Sequence, residues 1–186
     1  PEELGIDFLS ASAHKFHGPK GVGFLYASSA DFDSYLHGGD QEQKKRAGTE
    51  NLAAIVGMVA ALKEDLNDQV EHYQKLEGLK SAFLDEIANL EYYLNESQHQ
   101  LPYVVNIGFP GQKNDLLLLR LDLEGISIST GSACTAGIVQ TSHVLEAFYG
   151  PDSPRLKESV RISLSPLNTE EELKQLAQTL KNIIGD

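Results

Sequence analysis

The chain has 186 residues, 41% of them hydrophobic and 23% charged, with 27 acidic against 15 basic side chains for a net charge of −12. That balance argues against direct binding to nucleic acid, which depends on neutralising phosphates, and no apolar run approaches the roughly 20 residues that a membrane-spanning helix needs. A single cysteine excludes an intramolecular disulfide and fits a reducing, cytoplasmic compartment.

In chain order, the first expected element is a buried strand at Phe8–Ala11. A loop follows with Gly18, Pro19, Gly21 and Gly23, then a second strand over Val22–Tyr26. Because the chain opens at Pro1 and enters a strand within a few residues, an amino-terminal portion is expected upstream. Such a density of glycine permits close approach of the backbone to another group. Gly48-Thr49-Glu50-Asn51 opens a helix whose Leu52, Ile55, Val56, Val59 and Leu62 recur at helical spacing. A second helix is expected from Asn67 to Leu90, with Leu76, Leu79, Phe83, Ile87 and Leu90 on one face.

Pro102–Ile107 then reads as a strand, Asn114–Leu123 as a strongly apolar helix, and Ser127–Thr130 as a short strand leading into Gly131-Ser132-Ala133-Cys134. Ser142–Phe148 reads as a helix and Val160–Ser163 as a strand. The last helix has a capping box, Thr169 with Glu172, and an apolar face of Leu173, Leu176, Leu180 and Ile183. Alternating helices and strands argue an α/β fold, with a change of domain near Leu66–Asp68.

Three places carry chemistry. Lys15 follows a strand and sits beside Ser12, His14 and a glycine-rich turn, an arrangement suited to a lysine that binds a carbonyl cofactor with phosphate ligands at hand. By residue type alone, a basic surface loop is the commoner explanation. The run Gly18–Gly23 matches neither nucleotide-binding glycine motif. Cys134 lies among small polar residues, as a thiol on an exposed loop would. Arg161, in Ser159-Val-Arg-Ile-Ser163, either reaches solvent or presents a planar fork to a carboxylate. His14, His17, His37 and Cys134 match no zinc spacing, so no metal site is expected.

Five ordered blocks resolve these alternatives: Ser12-Ala-His-Lys-Phe-His-Gly-Pro-Lys-Gly-Val-Gly23, His37-Gly-Gly39, Arg46-Ala-Gly-Thr-Glu-Asn51, Ser129-Thr-Gly-Ser-Ala-Cys134 and Ser159-Val-Arg-Ile-Ser163. Together the chain resembles the cysteine desulfurases of iron–sulfur cluster assembly and nitrogen fixation, in the class V aminotransferase group of fold-type I pyridoxal 5'-phosphate enzymes. The cysteine block is similar to the branch with a long mobile loop. The Arg-x-Gly-His-His-Cys pattern of the other branch is absent.

The resemblance implies that residues 1–66 are the end of a large cofactor-binding domain and 67–186 a small α/β domain carrying the cysteine loop. Lys15 would carry pyridoxal 5'-phosphate covalently, Ser12 and His14 would hold its phosphate, and Thr49 would reach the phosphate of a neighbouring subunit in a homodimer. Arg161 would bind the carboxylate of L-cysteine. Cys134 would take the sulfur as a persulfide, release L-alanine and serve acceptor proteins, either iron–sulfur scaffolds or tRNA-thiolation enzymes. The family's ring-stacking aromatic and its pyridine-pairing aspartate lie upstream of the matching region, so residues 1–186 alone are expected to be inactive. Asp40 and Gln43 depart from the family pattern. The rival readings are a related lyase acting on selenocysteine and a non-catalytic folding or dimerising module.

Overall fold

The computed structural model describes residues 1–29, 31–131 and 141–185. They form an α/β structure of two compact units, Pro1–Val70 and Glu71–Asp186.

In the first unit, β1 (Phe8–Ser12) pairs antiparallel with β2 (Gly23–Ala27), in register from Phe8↔Ala27 to Ser12↔Gly23. Helix α1 (Leu52–Asn67) starts where the Asn51 side chain accepts a hydrogen bond from the Ala54 amide at 3.2 Å, satisfying one of the donors that every helix start leaves open. Against expectation, β1 is not buried: Phe8 is 55% exposed, because among the described residues β2 is its one sheet neighbour. The expected core face of α1 is likewise half uncovered, with Leu52 70% and Val56 69% exposed. What α1 does cover is the loop between the two strands. A Cβ added at Gly57 would come within 2.9 Å of the Pro19 ring.

The second unit contains the hydrophobic core. α2 (Gln69–Glu86) stops short of Leu90, because Ala88 and Leu90 turn back to Asp85 and Ile87 through tight three-residue bonds. It is followed by β3 (Tyr93–Leu94), β4 (Val104–Gly108), α3 (Asn114–Leu123), α4 (His143–Tyr149), the single turn α5 (Arg155–Glu158), β5 (Ser159–Ser163) and α6 (Glu170–Gly185). The strands form an antiparallel sheet in the order β3-β4-β5. The expected strand at Ser127–Thr130 is reduced to one bridge, Ser129↔Arg161.

The period of two along a strand divides this sheet into two faces. Val105, Ile107, Phe109, Val160, Ile162 and Leu164 are buried and join Leu76, Leu79 and Phe83 of α2, Leu117 and Leu121 of α3, and the expected stripe of α6 in one apolar cluster. Each such side chain removed from water contributes about 1.5–3 kcal/mol. α6 begins with the expected box: the Glu172 amide donates to Thr169 Oγ1 at 3.3 Å and the Thr169 amide to the Glu172 carboxylate at 3.1 Å. Asn106, Ser159 and Arg161 fall on the opposite, polar face. Among the described residues no helix is long and apolar enough to cross a membrane.

Candidate functional site

The first unit presents Ser12, His14 and Lys15 together. At the end of β1 the chain tightens into a single turn, Ala13–Lys15. The Ala13 carbonyl accepts from the amides of Phe16 at 3.0 Å and Gly18 at 2.8 Å, while its own amide donates to the Val22 carbonyl at 3.0 Å. Ala13 is fully buried, so this anchored residue holds the turn while Ser12, His14 and Lys15 stand on its exposed side. Glycine is needed to close it. A Cβ at Gly18 would lie 2.9 Å from that of Ala13, and one at Gly23 only 2.3 Å from the Ala11 carbonyl oxygen. His17 takes a left-handed conformation, with φ at 64°, to bring the chain round. Thr49 is exposed just ahead of the Asn51 cap, at the foot of the helix that packs on this loop. A hydroxyl, an imidazole and a primary amine on one rigid turn suit a cofactor bearing a phosphate and a carbonyl.

The second unit presents Arg161. Its backbone exchanges two hydrogen bonds with Ser129, at 2.6 and 3.0 Å, and its Cα partner on β4 is Asn106. The guanidinium Nε is buried and has no hydrogen-bond partner among the described residues. A buried donor left open costs free energy comparable to a lost hydrogen bond, so this position favours an anionic acceptor. Arg161 and Asn106 line a cavity of about 350 Å³ that is also bordered by Gly131 and Ser142. Those two residues flank the stretch that carries Cys134. Cys134 itself lies outside the described residues.

A polar network backs the Arg161 face, and of its members only Ser159 lies in a motif block. Asn95 donates from Nδ2 to Asn106 Oδ1 and to Ser159 Oγ, both at 2.8 Å, and accepts at Oδ1 from Arg155 Nη1 at 2.8 Å. The Arg155 guanidinium lies 4.1 Å from the Tyr93 ring centre and 4.5 Å from that of Tyr149. The Tyr93 hydroxyl donates to Glu158 at 3.0 Å, and the other oxygen of that carboxylate accepts from the Gly111 amide at 2.9 Å. Burial, together with the neighbouring Glu158 carboxylate, pushes the Tyr93 hydroxyl up to about 12. Glu96 also borders the cavity. Its partial burial opposes ionisation, but the hydrogen bonds from Lys80 at 2.5 Å and Gln100 at 2.7 Å outweigh that and hold its carboxyl below the usual range. The one sequence signal for this network is phase. Asn106 is the polar residue in Val-Val-Asn-Ile-Gly, out of step with the buried Val105 and Ile107.

Known proteins share this architecture. The aminotransferase class-V family matches residues 1–176. A Dictyoglomus turgidum protein named cysteine desulfurase IscS is 40% identical over 187 residues, which cover 98% of this chain and 47% of that protein. A solved structure titled NifS-like protein superposes with a TM-score of 0.87 at 33% identity, over 99% of this chain and 48% of the other. The NifS-like protein from Rickettsia africae gives 0.86 at 28% identity, over 100% and 49%. The chain spans about half the length of the curated relatives it matches.

Proposed function

The chain belongs to the class-V aminotransferase family, and from that premise we propose that it supplies part of a cysteine desulfurase, converting L-cysteine to L-alanine with Cys134 as the sulfur acceptor. The observation that carries this reading is the open, buried Nε of Arg161 in a cavity bordered by the residues flanking the Cys134 stretch. Names of relatives at 40–41% identity point to the same reaction.

In this reading residues 1–66 are the end of a large cofactor-binding domain and 67–186 the small domain. Ser12 and His14 would hold the phosphate of pyridoxal 5'-phosphate, Lys15 would be the lysine that binds the cofactor, and Thr49 would serve the phosphate site of a second subunit in a homodimer. When bound, that cofactor supplies an electron sink for charge developing on the substrate carbons. Arg161 pairs with the substrate carboxylate and fixes the amino acid in one orientation. The Cys134 thiolate attacks the substrate sulfur: a sulfur–sulfur bond forms, the carbon–sulfur bond breaks, and its electron pair stays with carbon, which takes a proton to become the methyl group of alanine. Cys134 then passes the persulfide sulfur to an acceptor protein, a scaffold for iron–sulfur clusters or a tRNA-thiolation enzyme, in the cytoplasm.

The test uses the product of the complete reading frame that contains this chain. It should form alanine from L-cysteine, and Cys134→Ala should stop turnover while leaving the visible cofactor band in place. Residues 1–186 alone, given the cofactor and L-cysteine, should form no alanine. Loss of cofactor from Cys134→Ala, or turnover that survives it, would remove Cys134 from this role.

A further inference from the structure

We propose that Asn106 is a second ligand of the substrate carboxylate, acting beside Arg161, and that Arg155 sets its orientation through Asn95. The inference rests on the reading of Arg161 given above and adds a residue that none of the sequence blocks contains.

Backbone geometry brings the two side chains together. Asn106 and Arg161 are directly opposed on β4 and β5, so they project from the same face. Arg161 spends its amide and carbonyl on Ser129, and Asn106 turns its carbonyl the other way, to the Asn95 amide at 2.9 Å. Asn106 and Arg161 are therefore a non-hydrogen-bonded pair of an antiparallel ladder. In such a pair the Cα atoms lie about 4.5 Å apart rather than about 5.5 Å, and the side chains are at their closest. Both border the same cavity of about 350 Å³.

A relay of hydrogen bonds then decides which end of the Asn106 amide faces the cavity. A guanidinium can only donate, so the Asn95 atom that meets Arg155 Nη1 at 2.8 Å is its oxygen. The Asn95 Nδ2 is then the atom 2.8 Å from Asn106, and the Asn106 atom it meets must accept, which makes it Oδ1. Asn106 Nδ2 is left as a donor with no acceptor among the described residues. The head of the relay is held in place, because Arg155 is sandwiched against the rings of Tyr93 and Tyr149. Asn106 Nδ2 and the Arg161 guanidinium, whose Nε has no acceptor among the described residues, belong to paired residues bordering one cavity, and two such donors match the two oxygens of one carboxylate. Glu96, the carboxylate on the cavity wall, is engaged by Lys80 and Gln100.

The test is a titration of the ¹⁵N-labelled chain with acetate at constant ionic strength, chloride being the balancing anion. Acetate should shift both the Asn106 side-chain NH2 protons and the Arg161 Hε proton along one binding curve. Asn106→Asp should weaken that binding at least tenfold, as should Arg161→Lys. Arg155→Met keeps bulk over the tyrosines but removes the donor. It should split or broaden the Asn106 NH2 signals while the backbone amides of β4 and β5 stay in place, a change that a purely structural role for Arg155 would not produce. If acetate moves Arg161 Hε alone and Asn106→Asp binds it as the unsubstituted chain does, the Asn106 proposal is wrong and the Arg161 reading stands. If Arg161→Lys also leaves acetate binding unchanged, the carboxylate site itself is wrong. Should Asn106→Asp not fold, unshifted Asn106 NH2 protons in the unsubstituted chain still refute the proposal.

Discussion

The two units were built from the same kind of sequence pattern, yet they bury it very differently. Among the described residues, Ala13 and Met58 are the buried hydrophobic side chains of Pro1–Val70, whereas seventeen residues of Glu71–Asp186 form one continuous cluster. The α1 stripe and the α6 stripe both repeat at helical spacing. Leu173, Leu176, Leu180 and Ile183 are all buried, while Leu52, Val56 and Val59 remain exposed. Periodicity therefore reports that a face is apolar and where it points. It does not report whether residues of the same chain cover it. Arg161 and its cavity lie on the unit with the continuous core, and the turn that presents Lys15 lies on the one whose helix stripe is exposed.

That contrast can be broken most directly by paired truncations. Phe83 is fully buried and Val56 is 69% exposed. Phe83→Ala should destabilise Glu71–Asp186 by about 3–5 kcal/mol, and Val56→Ala should change stability by about 0.5 kcal/mol or less, both read from denaturant midpoints at constant slope. Equal effects would mean that α1 is covered in solution by something this chain does not supply.

A smaller effect sharpens the account of the polar face of the second unit. Tyr93 is raised from 10.0 to about 12, by burial first and by Glu158 in addition. The folded state thus favours the neutral phenol. The stability this contributes is fully present below pH 10 and is lost as pH rises from 10 towards 12. Tyr93→Phe should cost about 1 kcal/mol at neutral pH, for the lost bond to Glu158. The difference between the two proteins should shrink on going above pH 10, and a constant difference up to pH 12 would contradict the assignment.

The smallest expected change concerns the entry to α6. Glu172 is held below the usual carboxylate range by the Asn168 side chain and by the Thr169 amide. Thr169→Ala removes the reciprocal half of that box and should lower the stability of the second unit by about 1 kcal/mol. No measurable change in thermal midpoint would mean that the helix start is held by packing of Leu173 alone.

Much of the fold follows from local rules. Asn51 and Thr169 sit where caps are needed, and the bounds of α3 coincide with its apolar run because Asn114 opens it and Gly125 follows it. The turn that presents Ser12, His14 and Lys15 was legible because these residues and Gly18 are contiguous, so one short segment sets its geometry. Arg161 stood out as a charge in an apolar strand, and the structure places it on β5 opposite Asn106.

Asn95, Asn106 and Arg155 were not legible as a group. Their separations in sequence are 60 residues for Arg155 to Asn95 and 11 for Asn95 to Asn106, and no local rule relates positions so far apart. What the sequence by itself determined is which side chains lie on which face of each helix and strand, since 3.6- and 2-residue periods are properties of the backbone. What only the tertiary structure decided is the pairing of β4 with β5. That register sets Asn106 opposite Arg161, and a slip of one residue would turn every side chain to the other face. The register is held by Val105, Ile107, Val160 and Ile162 in the core, so burial on one face of the sheet places the charged and amide groups on the other.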